Sequence, residues 1–176
     1  MLSMRRGEKT RRLALCAMLS ALGVVILYLG AIVEVLDLSL AALAPILVIY
    51  VAIELGGAWP WLVYGVTGLL AFLLLPQKFG ALVYLLFTGF YPMVKKWAEG
   101  RLPRLLALAV KLASCTLSLF VGWLLLRALA LPLDFDFPLV YVAIFFEITF
   151  LLYDFVLTRF ISLYVYRWRS KFRFKF

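Results

Sequence analysis

Histidine and asparagine are absent from this 176-residue chain, and only nine residues are acidic. Without histidine there is no Ser-His-Asp triad, no zinc motif built on histidine and no histidine ligand for haem. Cys16 and Cys115 are the only cysteines. Two separated thiols inside apolar runs make neither a disulfide framework nor a metal site, and they read as small apolar side chains. The phosphate-cradling loop Gly-x-x-x-x-Gly-Lys-Ser/Thr is also missing, because Gly7-Glu8-Lys9-Thr10 lacks the required Gly-Lys adjacency. These absences predict no metal, no cofactor and no nucleotide hydrolysis of that kind. The chain is read as a non-enzyme; a membrane transferase working through carboxylates is the one enzyme class they leave open.

What is present is apolar. Hydrophobic residues make up 66% of the chain and its mean hydropathy is +1.07, far above the roughly 45–50% apolar content of a soluble domain. Of the 18 Lys and Arg residues, 15 fall in three clusters. Arg5, Arg6, Lys9, Arg11 and Arg12 precede the first apolar run; Lys95, Lys96, Arg101 and Arg104 lie in the middle; Arg159, Arg167, Arg169, Lys171, Arg173 and Lys175 lie at the end. Basic residues beside membrane spans stay on the cytoplasmic side. Apolar runs of about 20 residues cross the hydrocarbon core, and the run from Leu13 to Ile32 is too long for the core of a cleavable signal peptide.

These rules predict an all-α integral membrane protein: a single membrane domain over 1–176, with six transmembrane helices in one bundle and both termini cytoplasmic, in the cell membrane. The expected spans are 12–33, 38–55, 59–75, 79–94, 103–131 and 138–166. Spans two and three are nearly continuous, but Gly56, Gly57 and Pro60 within five positions predict a turn. Six spans place all three basic clusters on one side; five would send the last outside. Trp59, Trp61, Trp97 and Trp168 then sit at cytoplasmic ends, as an aromatic belt does. The tail at 167–176 alternates basic and aromatic residues, a pattern that serves single-stranded nucleic acid in other settings. Directly after a span it is read as an anchor on anionic lipids, with no nucleic-acid partner.

Charges inside spans are costly and mark candidates for function. Lys111 lies seven residues inward from Arg104, and Asp154 five inward from Arg159. At 1.5 Å per residue their depths differ by about 3 Å, so a structural ion pair between spans five and six is expected, with a proton or cation relay as the sharper alternative. Glu147 lies deeper, with no basic residue at its level in span five; it is either a neutral packed carboxyl, bonded to Ser118 or Thr116, or a contact to substrate.

The stretch Arg11-Arg12-Leu13-Ala14-Leu15-Cys16-Ala17-Met18-Leu19-Ser20-Ala21-Leu22 resembles the opening helix of the S components of energy-coupling factor (ECF) transporters. Those proteins are six-helix membrane subunits of about this length. Their first helix packs small residues against the ECF T component; Ala17 and Ala21 match that spacing and Ala14 extends the face. The resemblance implies a subunit that captures a small solute outside and delivers it inward when docked on a T component and two ATPases, the partners supplying the energy. It places substrate near the extracellular ends, here around Glu34, Asp37, Gln77, Lys78, Arg127, Asp134 and Asp136, a set that favours a cationic or amphoteric solute. For each of these the alternative is a charge in a solvated loop. The family's metal-type members use an N-terminal histidine, absent here, which counts against nickel or cobalt. Two other functions fit the composition: a membrane scaffold or assembly protein acting through its tail, and a small secondary transporter or channel using Lys111, Glu147 and Asp154.

Overall fold

The computed structural model describes residues 2–128 and 139–168, side chains excepted at 2–6, 34, 126–128, 139–140, 142–143 and 167–168. Every element in that range is helical: α1 (Leu2–Ile32), a 3-10 turn (Glu34–Leu36), α2 (Asp37–Leu43), α3 (Pro45–Glu54), α4 (Trp59–Leu74), α5 (Phe79–Val83), a π turn (Tyr84–Thr88), α6 (Tyr91–Arg101), α7 (Arg104–Ala128), α8 (Leu139–Leu163) and a second π turn (Tyr164–Trp168). Three stretches are long and apolar enough to cross a membrane: Gly7–Ile32, Asp37–Glu54 and Arg104–Leu125. The apolar α4 is shorter. The outward faces agree with a hydrocarbon solvent: Leu69, Leu73, Leu105, Phe120 and Phe145 are exposed, where a water-soluble protein of this size would present polar side chains.

Helix α1 has 31 residues, about 46 Å at 1.5 Å per residue. That exceeds the hydrocarbon thickness of about 30 Å, so the helix runs on through the basic segment instead of beginning after it. Its covered stripe is Cys16, Ser20, Gly23, Val24, Leu27, Gly30 and Ala31, the 3.6-residue period of a half-buried helix. Both cysteines are buried and neither is in a disulfide. At Gly23 a β-carbon would lie 2.9 Å from Thr67 Cγ2, so the missing side chain is what lets α1 and α4 approach.

The turn between α3 and α4 forms where expected. Gly56 and Gly57 have φ of +63° and +57°, the left-handed region that only glycine enters without strain. Pro60 sits in the first turn of α4, where its missing N–H is harmless. Two expected helices are built differently. The span expected over 38–55 divides at Pro45: Ala44 keeps helical dihedrals (−52°, −37°), but proline has no N–H to extend the ladder and instead opens α3. The span expected over 79–94 contains the π turn and runs on to Arg101. Gly89 N–H donates to Tyr84 O, five residues back, at 2.8 Å, and Leu85 O accepts from Tyr64 Oη at 2.7 Å. A β-carbon at Gly89 would lie 2.7 Å from Tyr84 O, so this bulge requires glycine.

The chain divides into two compact units, Met1–Leu125 and Leu126–Phe176. In the first, the core gathers Cys16, Leu27, Ala41, Val48, Val63, Ala71, Leu75 and Tyr84 among others. One end brings together Gly30, Asp37 and Gly80; the opposite end brings Ala52 to Lys96 and Trp61 to Trp97. In the second unit, Glu147, Phe150, Asp154 and Leu157 occupy the more covered stripe of α8, and Tyr164 continues it into the π turn.

Candidate functional site

Asp37 opens α2, directly after the 3-10 turn that contains Glu34. It is not a loop charge: only 5% of it is exposed. Two glycines make room for it. A β-carbon at Gly30 of α1 would lie 3.2 Å from Asp37 Oδ1, and one at Gly80 of α5 would overlap that oxygen. The Gly80 amide faces the carboxylate, while Oδ1 is buried without a hydrogen-bond partner. A buried carboxylate oxygen left unsatisfied is expensive, and a cationic or hydrogen-bond-donating ligand would relieve the cost. The solvated-loop alternative therefore fails for Asp37, because its glycine neighbours enclose it.

Gln77 and Lys78 lie in the turn that leads into α5, two or three residues before Gly80, so the structure brings this turn to the Asp37 end. Lys78 has a different task there. Its Nζ donates to Leu75 O at 2.6 Å and lies 5.7 Å from the centroid of Phe72, capping the carbonyl end of α4. Gln77 is exposed. The side chains of Glu34 and Arg127 are outside the described set, as are Asp134, Asp136 and the tail from 169 onward. Glu147 is half-buried on α8, in the second unit.

At the other end of the first unit, Lys111 meets a carboxylate that sequence reasoning overlooked. Its Nζ donates to Glu99 Oε1 at 2.5 Å, and Lys95 Nζ approaches the same oxygen at 3.0 Å. Lys95 and Lys111 are 2% and 6% exposed, and the Glu99 side chain 44%. Helix geometry explains half of this: Lys95 and Glu99 are four apart on α6 and so share a face. The other half is tertiary, since α7 turns back after Pro103 and returns Lys111 to α6. Asp154, the partner expected for Lys111, is half-buried on α8 and belongs to the second unit. Its backbone carbonyl accepts from Thr158 Oγ1 at 2.7 Å.

The interior also holds hydroxyl groups. Thr67 Oγ1 donates to Ser20 O at 3.5 Å and Thr88 Oγ1 to Ala41 O at 2.8 Å, while Ser20 Oγ is buried without a partner. Among the described residues no group of three or more His, Cys, Asp or Glu is placed to hold a metal. Ala14, Ala17 and Ala21 lie on the exposed face of α1, opposite Cys16, Ser20 and Gly23. Comparison with known protein families, with curated proteins and with solved structures finds no match.

Proposed function

We propose that this chain is a six-span membrane protein of the cell membrane, with both termini cytoplasmic, that works as the solute-binding subunit of an ECF-type importer. The observation that carries this reading is Asp37: a buried carboxylate with an unsatisfied oxygen, held between two glycines at the end expected to face outside. Substrate contact is assigned first to Asp37; Glu34, Gln77, Lys78, Arg127, Asp134, Asp136 and Glu147 remain further candidates from the sequence alone. A cationic or amphoteric small molecule suits that set. Energy would come from a T component and two ATPases, with no cofactor or metal in this chain, and the basic tail would rest on anionic lipid.

The exposed alanine face of α1 supports the docking half of the proposal. Small side chains there leave room for a partner helix to approach closely. Glu99 supports a structural role for Lys111, which weakens the rival reading of an ion relay through Lys111, Glu147 and Asp154.

The test is purification from native membranes followed by identification of bound subunits. An ATPase pair and a T component are expected with the wild type. Ala17→Leu combined with Ala21→Leu is expected to reduce their recovery about tenfold, the effect of roughly 1.4 kcal/mol lost at a close-packed interface. Ion flux through liposomes containing this protein alone would instead favour the transporter reading.

A further inference from the structure

A second surface of the first unit lies far from Asp37. Trp61 of α4, Met93, Val94 and Trp97 of α6 and Val110 of α7 line a groove of about 360 Å³, open along one side. Its walls are apolar, yet α6 and the start of α7, which supply four of the five lining residues, are rich in cations. Residues 95–111 contain Lys95, Lys96, Arg101, Arg104 and Lys111 against a single acid, Glu99. That acid is already shared by Lys95 and Lys111, and Arg101 and Arg104 are exposed at the turn between α6 and α7.

An apolar groove with a cationic rim matches an amphiphile with an anionic head. We propose that the groove holds one acyl chain of an anionic phospholipid, whose phosphate lies against Arg101 and Arg104. Two observations select this occupant. The volume and the tryptophan, methionine and valine lining suit a hydrocarbon chain better than a free anion. The excess of positive charge selects an anionic head over a zwitterionic one. Trp61 and Trp97 then occupy the headgroup level that tryptophan prefers. The inference rests on the membrane placement of the chain and is independent of solute capture.

Quenching of tryptophan fluorescence by brominated acyl chains tests it on the full-length protein in phosphatidylcholine vesicles. Brominated phosphatidylglycerol is expected to reach half-maximal quenching at about fivefold lower mole fraction than brominated phosphatidylcholine, the effect of roughly one additional basic contact. In a Trp168→Phe background, which silences the tail, that preference is expected to vanish when Trp61→Phe and Trp97→Phe are added, and to shrink with Arg101→Gln plus Arg104→Gln. Equal quenching by the two lipids in the wild type, a comparison that needs no variant, overturns the proposal. So does a preference that survives loss of Trp61 and Trp97 in that background, which would place the lipid beside another tryptophan. Abolition of the preference by millimolar inorganic phosphate would identify a free-anion site and likewise overturn it.

Discussion

Glu99→Ala is expected to lower the melting temperature of the detergent-solubilised protein by about 4–8 °C, from a loss of about 2 kcal/mol at roughly 2–4 °C per kcal/mol for a chain of this size. The reason is geometric. Lys95 and Lys111 are both buried, and both direct their ammonium groups at one carboxylate oxygen. Removing that carboxylate takes the shared counter-charge away from two buried cations, and breaking a fully buried pair costs about 3–5 kcal/mol. Glu99 is half-exposed, so water takes up part of the loss and the expectation falls below that range. Lys111→Met in the Glu99→Ala background removes one of the two cations that shared the lost carboxylate. The double variant is therefore expected to melt above Glu99→Ala alone. Melting curves for the wild type, both single variants and the double variant check this; an unchanged melting temperature for Glu99→Ala would mean that the shared contact does not form.

Gly80→Ala is expected to destabilise by about 1–3 kcal/mol, the usual cost of forcing an added group into a packed interior. The new β-carbon falls on Asp37 Oδ1, and the carboxylate has little room to withdraw, because even a β-carbon at Gly30 would lie only 3.2 Å from the same oxygen. Asp37→Ala removes the obstructing group. Gly80→Ala is thus expected to cost far less in that background, with a coupling of at least about 1 kcal/mol between the two positions. Strictly additive losses in the four-variant cycle would show that Gly80 and Asp37 do not touch.

How far these features were legible depends on whether their cause is local. The α3–α4 turn was readable because Gly56, Gly57 and Pro60 act on their own backbone. The bounds of α4 were readable because Pro76 follows a continuous apolar run. The break at Pro45 was locally encoded as well, but hydropathy averaged over a span conceals a proline that leaves the chain direction helical. Hydropathy marks only the apolar part of that stretch: α6 continues beyond it as a polar helix to Arg101, and the spacing of Tyr91, Lys95 and Ala98 marks its covered face.

The site was legible in part. Asp37 was selected as an acid at a span end, and its burial was invisible because it depends on two glycines, 7 residues before and 43 after, meeting in space. Lys111 was recognised as a cation needing a carboxylate. The reading named Asp154 by depth; Glu99 could have been added from its four-residue step from Lys95.

The central claim is that Asp37 holds a captured solute, and native mass spectrometry of the full-length protein tests it most directly. Wild-type protein released from mild detergent is expected to retain a small cationic or amphoteric molecule. Asp37→Asn, which keeps the shape and removes the charge, is expected to lose it while still folding. Equal retention of the same molecule by both proteins, or a wild type that arrives bare after exposure to its native membrane and medium, would contradict the account.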